Sequence, residues 1–179
     1  LETPIRQDII ENIVGIKFKN RIGEYTLKKV DNTWMLQKPR TIPAQKKTIS
    51  LILNALRNIE VKTIHQNEPI NFQSFSLDKP IIQVELLTKL DEKIVLKVGL
   101  INPINNTSYI TVSGLDRIFQ TNLFEGRLEG LELSDFIDGK VFSVALDDIK
   151  SFKLFHGKNK EAFNNFTFDG NYWVCLLYT

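Results

Sequence analysis

Carboxylates are the residues of this chain whose type and spacing come nearest to chemistry. Asp135 and Asp138 can share one helical turn, and Asp147-Asp148 precede an alternating strand. Two carboxylates on one surface are the minimum for a hydrolase or a cation site. A hydrolase using Asp135, Asp138 or Asp147 is therefore the enzyme reading that the spacing permits, and an acidic turn is the plainer account of the same residues. Calcium needs several oxygens converging in one short loop, and the stretch LSDFIDGK offers two carboxylates.

The other reactive side chains are isolated. His65 and His156 stand without a His, Cys or acidic neighbour at ligand spacing, and each reads as a loop or surface residue. Cys175, in the apolar run YWVCLL, has no second cysteine to pair with and reads as a small packed hydrophobe. No nucleophile elbow, zinc-protease motif or phosphate-binding loop occurs, and GRLEG lacks the Lys-Ser/Thr that would hold a nucleotide. These patterns assign no catalytic, cofactor-binding or metal-binding residue, and a chain that is not an enzyme and takes no cofactor is the expectation.

Aromatic residues offer a different chemistry. Tyr109, Phe119, Phe124 and Phe142, if exposed, could stack on the sugars of a cell-wall polymer or other polysaccharide. Phe18, Tyr25 and Trp34 are interleaved with a basic front region that includes Lys17, Lys19, Lys28 and Lys29. That interleaving is the whole case for nucleic acid. Core or cross-strand packing accounts for the same rings, so no nucleic-acid partner is expected. The patterns NNTS and NFT match glycosylation acceptors at Asn105, Asn106 and Asn165, and matter only in a glycosylating host.

The elements that must position these residues are mostly strands. The chain has 179 residues, 42% of them hydrophobic, with twelve Phe and many Ile and Val, which suits a β-rich core more than a helical bundle. A net charge of +2 says little about partners, although residues 1 to 60 are locally basic and residues 125 to 148 locally acidic. No apolar run approaches the length of a membrane span. The first residue is Leu1, which suggests a processed or excised piece, from which a targeting or anchoring segment could have been removed.

Alternating apolar residues separated by turn signals predict hairpins over 24–38, with Asp31-Asn32 at the turn, over 81–100, and over 107–124. One long amphipathic helix is expected over about 43–59, with Thr41 as cap and Pro43 in its first turn. Its stripe is Ile49, Ile52, Leu53, Leu56 and Ile59. The expected fold class is α+β: a mostly antiparallel sheet built from successive hairpins, with that helix packed on it. Short helical turns are expected around Leu133 to Ile137, with Ser134 as cap and Gly139 as stop. Residues 1–160 read as a single α+β domain.

Both tryptophans share a local setting. YTLKKVDNTWMLQ and FTFDGNYWVCLL each carry alternating apolar residues, an Asp-Asn or Asp-Gly turn, and then a Trp. Trp34 and Trp173 lie 139 residues apart, enough for one domain-sized period. Chance explains the echo on one reading. On the other, residues 161–179 are a C-terminal hairpin that begins a truncated second repeat, with strand edges open to a partner or to a homo-oligomer.

The segments DNTWMLQKP, PAQKKTISLILNALRNI, FSLDKPIIQVEL, LKVGLINPINNTSYITVSGLDRI and LSDFIDGKVFSVALDDIKSFKL together resemble the bacterial domain-of-unknown-function family 4340, over roughly residues 10 to 160. Two positions depart from that family's pattern. Ser76, beside Leu77, stands where the family has the Gly of a Gly-Leu pair, and Ser134-Asp135 where it has Arg-Asp. The resemblance carries no catalytic set. It implies an extracytoplasmic, membrane-tethered protein of the bacterial envelope or periplasm, often repeated within one chain and often encoded near gliding-type ABC transporter components. Together with the residue patterns it leads to the expectation of a non-enzymatic interaction module, accessory to a membrane transport or gliding-type complex.

Overall fold

The computed structural model describes residues 3–66, 71–122, 128–139, 146–155 and 162–177. Contacts group the chain into two compact units, Leu1–Gly139 and Lys140–Thr179. The first begins with a short helix α1 (Gln7–Glu11) and a meander, β1 (Ile13–Lys19), β2 (Glu24–Val30) and β3 (Thr33–Lys38). The short strand β4 (Ile42–Pro43) and helix α2 (Lys46–Arg57) follow, and β5 (Val61–His65) leads to a 3-10 turn at Phe72–Phe75. Four more strands, β6 (Ile82–Thr88), β7 (Lys93–Asn102), β8 (Thr107–Val112) and β9 (Ile118–Thr121), precede the one-turn helix α3 (Leu133–Phe136). The second unit holds a 3-10 turn at Leu146–Asp148 and the strands β10 (Ser151–Phe155), β11 (Ala162–Phe168) and β12 (Trp173–Leu177).

Nine strands of the first unit form one sheet in the order β4-β3-β2-β1-β6-β7-β8-β9-β5, with every described pairing antiparallel. The predicted hairpins are present. Asp31 and Asn32 take φ of 45° and 63°, the mirror-image turn that matches strand twist. Ile82, Val84 and Leu86 face Val98, Leu96 and Ile94 across the second hairpin. Two pairings join segments distant in sequence, β1 with β6 and β5 with β9.

The helix differs from the long one expected over 43–59. It has 12 residues, starting after Gln45, because Pro43 is engaged opposite Met35 in the β3–β4 ladder and Thr41 makes no cap. A proline tolerates that edge position because it has no amide hydrogen to lose there. Ile49, Ile52 and Leu56 are buried from α2, and they share one cluster with Ile16, Phe18, Leu27 and Leu36 of the meander. Phe136 completes the cover: its ring stacks on Tyr25 at 4.3 Å between centroids and lies 5.7 Å from Phe18. The α3 cap is Glu132 instead of Ser134, with a reciprocal capping box to Asp135.

Asn20 ties the β1–β2 turn to the segment that brings Phe136 in. Its Nδ2 donates to the carbonyls of Leu131 (2.8 Å) and Glu129 (3.1 Å), and its Oδ1 accepts from the amides of Ile22 and Gly23, both at 2.9 Å. At the opposite end of the sheet, Gly99 sits where the β7–β8 register shifts, between Val98 and Ile101. A Cβ on Gly99 would overlap the carbonyl oxygen of Phe75, so the residue is small because another backbone passes against it. Two residues beyond Phe75, Leu77 is buried, while Phe72 is exposed. Between them Ser76 takes a left-handed φ of 57°, the conformation for which glycine is the default residue.

Gly99→Ala should lower the stability of the first unit by about 1–3 kcal/mol, the usual penalty of overpacking a tight site. Ser76→Gly should raise it by about 0.5 kcal/mol, since left-handed backbone penalises a Cβ. Urea midpoints of the two variants check both signs, and an unchanged midpoint for Gly99→Ala would refute the close approach to Phe75.

Candidate interaction surface

Of the carboxylates singled out by sequence, Asp135 and Asp138 belong to the first unit and Asp147 to the second. Asp135 is occupied in the capping box of α3: its Oδ2 accepts the Glu132 amide at 2.9 Å, while its carbonyl accepts the Thr48 hydroxyl. The Asp138 amide donates to the Pro43 carbonyl at 3.1 Å. Asp147 and Asp148 are exposed residues of the second unit, in its 3-10 turn. Among the described residues no group of three His, Cys, Asp or Glu side chains converges as a metal site would need.

Aromatic placement corrects the exposed set. Phe119 is 0% exposed, so it cannot stack on a sugar. Tyr109 is half-buried in a cluster with Phe75 and His65, at centroid distances of 4.6 and 5.8 Å. His65 is thus a packed strand residue instead of a loop residue, and its Nε2 is buried with no hydrogen-bond partner. Phe124, Phe142 and His156 lie outside the described residues. Phe18 and Tyr25 are core, and Trp34 packs against it.

On the outer face of the nine-stranded sheet, the missing side chain of Gly15 leaves an open depression of about 280 Å³ floored by Leu87. Charge surrounds it. Lys93 reaches Glu85 at 2.8 Å and Lys17 reaches Glu24 at 3.0 Å. The hydrogen bond from Lys93 holds the Glu85 carboxyl below its ordinary 4.5, against partial burial that pushes it up, with Lys17 and Gln83 adding to the lowering. Glu24, and then Glu85, raise Lys17 above its ordinary 10.5. Inside the unit, burial raises the Tyr25 hydroxyl, helped by Glu132 and Asp135.

The second unit presents an open apolar surface. Antiparallel pairing puts Phe152 opposite Phe166 and Phe166 opposite Cys175, with Phe168 opposite Trp173, all on one side of the three-stranded sheet. The rings meet: Phe152 stacks on Phe166 at 4.6 Å and reaches Trp173 at 5.2 Å, and Phe168 lies 5.4 Å from Trp173. The other side carries Ser151, Lys153, Asn165, Thr167 and Val174. Phe152, Leu154 and Trp173 are nevertheless 42%, 48% and 41% exposed, and Cys175, expected to pack, is also open. The alternation was readable from sequence; the missing cover was not.

A sheet-dominated α+β protein with an open aromatic face is the class of molecule these features define. Residues 34–170 match the family described as Domain of unknown function (DUF4340), and the chain belongs to that family. The matched stretch starts at Trp34 and stops in the turn before Trp173. None of the curated proteins and none of the solved structures compared with the chain matches it.

Two outcomes follow for the charged groups. Because the folded Glu85 value is depressed, its stabilising contribution is full above about pH 4.5 and is lost as pH falls through the lowered folded value. Glu85→Gln should therefore flatten the fall in stability between about pH 5 and 3, measured as urea midpoints across that range. Asp135→Ala should cost about 0.3–1.5 kcal/mol by removing one half of the capping box, and a variant as stable as the parent would show that this half contributes nothing.

Proposed function

We propose that this chain is a non-enzymatic interaction module of the bacterial envelope, held outside the cytoplasm and accessory to a membrane transport or gliding-type complex. One observation carries the interaction reading: Phe152, Leu154, Phe168 and Trp173 form a contiguous open face backed by a polar one. Apolar patches of this kind, larger than scattered surface residues, mark sites of association. Membership of the DUF4340 family supports the envelope setting through the resemblance that family carries. Among the described residues no helix is long and apolar enough to cross a membrane, so a helical tether would have to lie elsewhere.

A polysaccharide-binding reading draws on Tyr172 and Trp173, whose rings stand open at the β11–β12 turn. Co-sedimentation with purified cell-wall fractions that is undiminished by Trp173→Ala would count against it. The hydrolase reading loses ground because Asp135 is engaged in the α3 capping box.

The interaction reading predicts that a photo-crosslinker at position 152, in native cells, forms adducts with a membrane-embedded transport component identified by mass spectrometry. A crosslinker at position 167, on the polar side, should give few. Adducts absent at 152, or equal at both positions, would overturn it.

A further inference from the structure

We propose that β10–β11–β12 is a second instance of the β1–β2–β3 meander, and that its open face receives an amphipathic helix as the matching face of the first receives α2. This deepens the interaction reading, on which it rests, by naming the partner's chemistry.

Counted from their turns, the two meanders share one pairing register as far as Leu27–Leu36 and Phe166–Cys175, beyond which β2–β3 shifts at Thr26–Lys38 while β11–β12 runs on. Val30 pairs with Thr33 around the two-residue turn Asp31-Asn32. The Asp169 amide donates to the Tyr172 carbonyl at 3.2 Å around Gly170-Asn171, with Gly170 at a φ of 105°. Counting back from the turns, Lys29 opposite Trp34 matches Phe168 opposite Trp173, and Leu27 opposite Leu36 matches Phe166 opposite Cys175. On the flanking strands, Ile16 opposite Leu27 matches Phe152 opposite Phe166, and Phe18 opposite Tyr25 matches Leu154 opposite Asn164. The matching holds across all three strands. The family match, from Trp34 to Gly170, covers nearly one such period and ends in the turn before β12.

Equivalent positions differ in cover. Ile16 and Phe18 are 1% and 0% exposed, against 42% and 48% for Phe152 and Leu154. The first face is closed by the stripe Ile49, Ile52 and Leu56 of α2, with Phe136 over Phe18 and Tyr25. A 12-residue helix is about 18 Å long, which suits strands of five to seven residues. The partner is therefore a helix of about three turns with an i, i+3, i+7 apolar stripe.

Cys175 sits on the open face at the position of the buried Leu36 and is a native reporter. The probe is a capped synthetic peptide with the sequence of residues 44–59, added to the full chain while maleimide labelling of Cys175 is timed. At about ten times its dissociation constant the peptide should slow labelling about tenfold. A peptide with aspartate at the positions of Ile52 and Leu56 should not. Phe152→Ser in the protein should abolish the protection, and Val174→Ser, on the reverse side, should keep it. Labelling unchanged up to the peptide's solubility limit, slowed equally by the aspartate peptide, or already slow because the chain dimerises in sedimentation, overturns the proposal. Crosslinking from position 152 separates the two readings: adducts that persist without a peptide effect overturn the helix and keep the interaction module, and loss of both removes both.

Discussion

A sheet with one apolar face is stable in water only when something covers that face. In the first unit the cover is α2 and Phe136, and the magnitudes show how much depends on it. Each fully buried Phe, Leu or Ile contributes about 1.5–3 kcal/mol, whereas exposed ion pairs such as Lys17–Glu24 contribute about 0–1 kcal/mol. The charged outer face is therefore a solvated surface whose pairs tune pH response, and the inner face decides whether the unit folds.

Cover made from a distant part of the chain has to be held in register by polar contacts, because burial is non-directional. Asn20 does this from the β1–β2 turn, reaching the carbonyls that precede α3. The Thr48 hydroxyl and the Gln45 amide do the same from α2, onto Asp135 and Phe136. These bonds are worth about 0.5–1.5 kcal/mol each when made, but an abandoned buried carbonyl costs about 1–3 kcal/mol. They specify where Phe136 lands more than they add to the total.

Local features of this architecture were legible in the sequence and non-local ones were not. Strict alternation around Asp31-Asn32 exposes the first hairpin, since side-chain period and turn chemistry are both properties of adjacent residues. The helix start was misplaced because Pro43 suits a helical first turn and an edge strand equally, and only the partner Met35 decides between them. Tyr109 and Phe119 are alike in sequence as strand aromatics, yet one is half-buried and the other closed off by neighbours far along the chain. The candidate surface was half visible: the echo between the tryptophans marks the second meander, while its lack of cover is a fact of packing. Ser76 is instructive in the same way, because a departure from the family's glycine falls on a residue that still adopts the glycine conformation.

The order β4-β3-β2-β1-β6-β7-β8-β9-β5 carries a kinetic consequence. The neighbours β1–β2–β3 and β6–β7–β8–β9 are hairpins that close within microseconds. The β1–β6 and β5–β9 ladders instead join segments more than fifty residues apart, and their loop-closure entropy must be met before their contacts stabilise anything. Chain topology thus places this sheet among the slower antiparallel folds. During that interval the hairpins stand with open edges, and the two-residue β4 and the five-residue β5 leave little edge to present once the sheet is complete.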